Sequence, residues 1–257
     1  RGYQLTYIPE SLKVLGRQCG YIFYVPAAYT SKIDPTTGFV AIFNYKGMTD
    51  KDFVTSFDSI KYDDERGLFA FEFDYENFVT HKVEMARNKW TVYTYGERIK
   101  RKFKNGLWDT AEKVDLTYQM RSILEKYEIE YNKGQDILEQ IEELDEKAQN
   151  GICKEIKYLV KDIVQMRNSL PDNAAEDYDA IISPVINNNG EFFDSTRGDE
   201  DKPLDADANG AYCIALKGLY EVMQIKKNWN EETEFPRKEL KIRHQDWFDF
   251  IQNKRYL

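Results

Sequence analysis

Three residues hold the chemistry this chain could do: Arg167, Asp179 twelve residues on, and Asp207 further along the sequence. Asp207 stands in Asp205-Ala-Asp-Ala-Asn-Gly-Ala-Tyr212, after the charge- and turn-rich run 197–203 and at the start of an apolar-periodic segment. A carboxylate in the first turn of a helix is favoured by unpaired backbone N–H groups and the positive end of the helix dipole. Its neighbours Ala208, Gly210 and Ala211 are small, so the helix start can press against another backbone. Carboxylate oxygen on such a corner suits Mg2+ or Mn2+. The same residue also reads as a plain helix cap. Arg167 falls where a helical apolar stripe stops. A guanidinium there can grip phosphate oxygens through two parallel N–H bonds, or it can complement the negative helix end. Asp179, twelve residues on, reads as a second carboxylate or as a turn residue. One metal-binding carboxylate and one phosphate-gripping arginine form the minimal set for phosphodiester cleavage.

A second candidate surface is the run 87–104, which contains Arg87, Lys89, Arg98, Lys100, Arg101, Lys102 and Lys104 against Glu97 alone. Trp90, Tyr93, Tyr95 and Phe103 are interleaved with these cations. Such a mixture suits single-stranded nucleic acid, through phosphate contacts and base stacking; it also suits a solvated sheet face. The two histidines, His81 and His244, are isolated, so a histidine-activated nucleophile has little support. Cys19, Cys153 and Cys213 form no CxxC pair or Cys/His spacing, so no zinc site and no disulfide framework is expected, and a reducing cytosol fits.

The elements that must position these residues are mixed, giving an α/β or α+β class. Helices are expected over 10–17, from a cap at Asp50 through Phe53, Val54 and Phe57, over 117–127, 136–148 and 152–166, from Asp207 to about Lys227, and over 245–253. Strands are expected over 21–25, in a hairpin of Lys61-Tyr62 with 68–75 around the turn 63–67, over 90–95 with 98–103 as a partner, and over 179–185 and 191–194 around the turn 187–190. The 257 residues allow one large domain or two ordinary ones, and 14% aromatic content argues against disorder. A net charge of −9 excludes a general polyanion binder and leaves nucleic-acid contact to local patches. No apolar run approaches a membrane span, and no signal peptide is visible. A chain opening at Arg1 without methionine is expected of a piece of a longer protein.

Several stretches, in order, resemble the C-terminal part of the type V-A CRISPR RNA-guided DNA endonucleases, the Cpf family. They are Tyr3-Gln-Leu-Thr6, Gly20-Tyr-Ile-Phe-Tyr-Val-Pro-Ala27, Tyr29-Thr-Ser-Lys-Ile-Asp-Pro35 with Thr37-Gly-Phe-Val40, Gln165-Met-Arg-Asn-Ser169, Ile182-Ser-Pro-Val185, Phe193-Asp-Ser195 and the Asp205–Tyr212 stretch. The resemblance implies a partial RNase H-like RuvC domain, present as the segments 1–41 and 205–257, with an inserted mixed α+β Nuc domain at 42–204. It implies a two-ion Mg2+ or Mn2+ site in which Asp207 matches the third carboxylate and the other two lie upstream of Arg1. Arg167 matches the Nuc arginine that assists cleavage, Asp179 a Nuc aspartate, and Ser169 a residue of the same surface. Asp34 and Thr37 stand where some distant relatives carry zinc cysteines, so no zinc is expected. The implied partners are a CRISPR guide RNA, target DNA, single-stranded DNA and the upstream half of the same protein, in the bacterial cytoplasm. Two functions follow: a metal-dependent endodeoxyribonuclease half cutting both target and non-target strands, or a non-catalytic nucleic-acid or partner-binding module. For the isolated chain, which lacks two carboxylates, cleavage is not expected.

Overall fold

The period-two aromatics at 69, 71 and 73 fold as expected, into the second arm of a hairpin, while Tyr75, expected in the same arm, opens a 3-10 turn just past it. The computed structural model describes residues 25–43, 45–78, 87–100, 103–104, 107–108, 112–132, 134–169, 179–198, 201–228 and 242–253. The expected helix over 10–17 and all but the last residue of the expected strand over 21–25 lie outside them. Strand β1 (Ser59–Asp63) pairs antiparallel with β2 (Leu68–Asp74), which pairs antiparallel with β3 (Lys89–Tyr93). Asp63 closes the hairpin turn by accepting from the amides of Glu65 and Arg66. Because strand side chains alternate, Phe69, Phe71 and Phe73 all reach the core, where Phe57 meets Phe71 and Phe73, Phe43 and Phe78 meet Phe73, and Tyr62 and Tyr131 meet Phe69, at inclined or edge-to-face angles.

Helix α1 (Asp50–Thr55) drives Phe53 and Val54 into that cluster. Its cap is Thr49, which accepts from the amide of Asp52, and not Asp50, whose carboxylate is engaged by Lys157. Strand β4 (Glu97–Lys100) pairs with β7 (Glu112–Asp115) rather than with β3 as the sequence suggested. Gly96, in the left-handed region at φ +78°, turns the chain out of β3's line, and its carbonyl accepts from the amide of Leu116. The short strands β5 (Phe103–Lys104) and β6 (Leu107–Trp108) form their own ribbon.

Helices α2 (Leu116–Lys126), α3 (Ile137–Glu142) and α4 (Glu146–Ile163) are capped by Asp115, Asp136 and Asp145. The expected break near Gly151 falls instead at 143–145, because Asp145 caps a new helix that runs straight through the glycine. There the ring of Tyr127 packs so closely that a Cβ on residue 151 would stand 2.5 Å from its hydroxyl. Helix α4 lays Ile152, Ile156, Leu159, Val160 and Ile163 onto the core. Three antiparallel strands follow, β8 (Arg167–Ser169), β9 (Asp179–Ile186) and β10 (Phe192–Asp194), with β9 in the centre. Pro184, which cannot donate to a ladder, sits in β9 where its pairing with β10 is irregular.

Helix α5 (Ala206–Asn228) packs on β9. Its polarity is mixed: Asn209, Lys217 and Glu221 are buried beside Ala206, Cys213 and Leu216, while Ile214, Leu219, Val222 and Met223 are exposed. Helix α6 (His244–Gln252) closes the described chain on the segment 25–43, where Trp247 donates to the carbonyl of Tyr29 and Phe248 meets the ring of Tyr29. The whole is a mixed α/β fold of small antiparallel sheets. No helix among the described residues is long and apolar enough to cross a membrane.

Candidate active site

The register of β8 on β9 places Arg167 opposite Ile181, Asn168 opposite Ala180 and Ser169 opposite Asp179. Facing residues of an antiparallel pair, and alternate residues along a strand, share a face; Arg167, Ser169 and Asp179 therefore lie on one face. Asn168 points the other way and is buried, accepting from the amide of Ile99 at 3.0 Å and donating to the carbonyl of Glu97 at 2.8 Å. These two bonds pin a three-residue edge strand to β4, so Arg167 projects from a fixed base.

The guanidinium of Arg167 grips Asp179 with two prongs, Nε to Oδ1 at 2.9 Å and Nη2 to Oδ2 at 3.0 Å. Its Nη2 also lies 3.2 Å from Oδ1 of Asp207. Among the described residues its Nη1 edge has no partner, and the side chain is 43% exposed. Asp207, at 83%, is the most open of the three. The structure thus brings together, across three elements, the three residues singled out in the sequence. Ser169 is exposed beside them, opposite Asp179.

Arg167 does not sit at a helix end. Helix α4 stops at Ile163, and Arg167 begins a strand, beyond the last turn where a helix dipole acts. The helix end is served by Arg98: its guanidinium donates to the carbonyls of Asp162 and Ile163, and also to those of Ile182, Tyr95 and Glu97. Arg98 is 1% exposed, so its charge is an internal clamp between α4 and β9 and is not presented to a phosphate in solvent. Its place in the basic run is corrected on that ground. Lys100 pairs with Asp162 and donates to Gln119. Arg101, Lys102 and the side chain of Lys104 lie outside the described residues.

Asp207 is not the cap of α5. Asp205 accepts from the amide of Ala208 at 2.6 Å, and its carbonyl accepts from the amide of Asn209. That leaves the Asp207 carboxylate in the first turn without a capping role. Further along the buried side of the same helix, Lys217 donates to the carbonyls of Pro26, at 3.0 Å, and of Ala28, and burial pushes its ammonium down to about 8. One turn on, burial alone raises the Glu221 carboxyl to about 7.

The donors present do not make a metal cage. Among the described residues no group of three or more His, Cys, Asp or Glu could hold an ion. Asp179 and Asp207 are instead drawn onto one guanidinium. What this arrangement can do unaided is bind a phosphate oxygen at the open Nη1 edge of Arg167, with further donors released when a carboxylate gives way.

Sequence reasoning missed Asp34, Ser183 and Asn209, all fully buried and hydrogen-bonded around this site. The local signal was there in Asp34-Pro-Thr-Thr37, an Asp followed by hydroxyls that can turn back on its carboxylate. Its long-range partners leave no trace in spacing. Residues 33–197 match the family described as NUC, nuclease domain. The match covers well over half the chain and takes in Asp34, Arg167, Ser169, Asp179 and Ser183. A guanidinium on a sheet edge, open on one side and held between carboxylates, agrees with a nuclease role, and the chain belongs to the NUC nuclease-domain family.

Proposed function

We propose that the chain is the nuclease half of a type V-A CRISPR RNA-guided DNA endonuclease that hydrolyses phosphodiesters of both strands of a guide-paired target. Residues 42–204 form the Nuc insert, and 1–41 and 205–257 are the later segments of an RNase H-like RuvC domain. The observation that carries this reading is the 3.2 Å approach of Arg167, from the insert, to Asp207, at the head of α5. Arg167 grips the scissile phosphate through its Nη1 edge first, then exchanges Asp207 for a second phosphate oxygen while Asp179 keeps its plane fixed. Charge that develops on the phosphate in the transition state is thereby neutralised by a group already in place. Ser169, opposite Asp179, borders the path of the strand. Asp207 supplies one ligand to an Mg2+ or Mn2+ site whose remaining carboxylates come from upstream residues; bound there, the metal would activate water and polarise the phosphate. The alternative reading is a non-catalytic module that binds nucleic acid or a partner protein, and an assay with Mg2+ that detects binding without cleavage would favour it.

The test is single-turnover cleavage of target and non-target strands by the complete guided enzyme. Arg167→Ala should slow cleavage about a hundredfold or more, with melting temperature nearly unchanged. Arg167→Lys should recover only part of the rate, because an ammonium lacks the two-pronged geometry. Wild-type rates in Arg167→Ala would remove the arginine from the reaction.

A further inference from the structure

The loop 33–40 is closed on itself and then fastened at two points. Ile33 and Val40 form an antiparallel bridge, the amide of Asp34 donates to the carbonyl of Phe39 at 2.9 Å, and the amide of Gly38 donates back to the carbonyl of Asp34 at 2.9 Å. Inside the loop the Asp34 carboxylate is 0% exposed. Its Oδ1 accepts from the amide and hydroxyl of Thr36, each at 2.7 Å, and from the amide of Thr37 at 3.3 Å. Its Oδ2 accepts from the Thr37 hydroxyl at 2.9 Å and from the Ser183 hydroxyl of β9 at 2.6 Å.

Four of those donors belong to the loop; the fifth does not. Ser183 stands four residues beyond Asp179 on the same strand. One residue before Asp34, the carbonyl of Ile33 accepts from Asn209 Nδ2 at 2.9 Å. Asn209 is fully buried and two residues beyond Asp207, so on the helix it faces inward where Asp207 faces out. A single turn therefore holds β9, which carries Asp179 and pairs with the strand of Arg167, and α5, which carries Asp207. The contact between Arg167 and Asp207 is solvent-exposed and cannot by itself fix two elements in place.

We infer that Asp34, which bonds Ser183 directly and closes the turn whose Ile33 carbonyl holds Asn209, is the positioning residue that sets the spacing between Arg167 and Asp207. It touches no substrate; it determines whether the arginine and the carboxylate meet the same phosphate. The inference rests on the reading of Arg167 and Asp207 as cleavage residues.

The experiment uses the complete guided enzyme with Asp34→Asn, with Ser183→Ala, which leaves the loop's four internal bonds intact, and with each combined with Arg167→Ala. Single-turnover cleavage is measured well below the melting temperature of every variant, alongside affinity for the target duplex. Misplacing reacting groups by about 1 Å can lower a rate on the order of a hundredfold, so each bracket variant should cut ten- to a hundredfold more slowly with duplex affinity unchanged. In the Arg167→Ala background the bracket changes should add little, because the spacing no longer matters once the arginine is gone. Wild-type rates in both bracket variants, beside a slow Arg167→Ala, would overturn the inference and leave the role of Arg167 standing. Fully multiplicative losses in the double variants would also overturn it. If Arg167→Ala itself cuts normally, the underlying reading fails first.

Discussion

Arg167 has five N–H donors; Asp179 takes two of them, and Asp207 is held at 3.2 Å from Nη2 as an ion pair. The pairing with Asp179 is two-pronged and fixes the plane of the guanidinium; the pairing with Asp207 is single and the easier to exchange. At this scale the sequence was informative about identity and silent about partners. Asp207 and Arg167 each had an ordinary reading as helix-end residues. Both readings fail for the same reason, that another residue holds the post: Asp205 caps α5, and Arg98 takes the last carbonyls of α4. A helix end states what charge it wants, and not which of several nearby residues will supply it. Glu221 gives a test of the buried side of α5. Its carboxyl is raised from 4.5 to about 7 by burial, so the folded chain binds more protons than the unfolded chain between those values, and stability falls as pH rises through that window. Lys217, lowered from 10.5 to about 8, acts in the opposite sense: the unfolded chain binds more protons, and stability recovers as pH rises from 8 towards 10.5. Glu221→Gln should flatten the fall between pH 4.5 and 7 and raise the melting temperature at pH 8 by roughly 2–4 °C for each kcal/mol relieved. Thermal melts across that range check both; an unchanged slope would mean the carboxylate finds a cation in solution.

Elements with strong local periodicity were legible, and their neighbours were not. The aromatic alternation in β2 specifies both strand and buried face, and the Asn-rich turn before Glu191 specifies the hairpin of β9 and β10. The partner of β4 could not be read, because a four-residue strand with three charged residues and one isoleucine fits several edges; Gly96 decides it by redirecting the chain to β7. Gly151 misled in the other direction. Glycine lowers helix propensity by about 1 kcal/mol relative to alanine, which argues for a break. Tertiary packing overrides that preference, since Tyr127 occupies the space a Cβ would need and donates to Glu155 at 2.9 Å. Gly151→Ala is therefore expected to destabilise the chain by about 1–2 kcal/mol in spite of the propensity gain. In a Tyr127→Phe background, where the nearest clashing atom is gone, the loss should shrink or reverse. Denaturant melts of the four proteins decide it, and equal losses in both backgrounds would place the strain elsewhere.

Across the whole molecule, the site is assembled from distant parts of the chain. The family match ends at 197, short of Asp207, so the carboxylate that meets Arg167 comes from outside the matched region. The bond from Ser183 to Asp34 spans 149 positions, and that from Asn209 to Ile33 spans 176. Contacts of such separation form late, because the intervening chain must be ordered before they are favourable. Removing a late contact leaves the folding rate nearly unchanged and speeds unfolding. Stopped-flow chevrons of Ser183→Ala should thus move on the unfolding arm alone, and a slower folding arm would show the bracket forming early. On the ribosome the same separations become a matter of timing. The aromatic hairpin and α4 can pack while synthesis continues, but the Ile33–Asp34 turn must wait for Asn209 to leave the exit tunnel. A nascent chain stalled before that point would have its core and its arginine, with Asp207 not yet held beside Arg167.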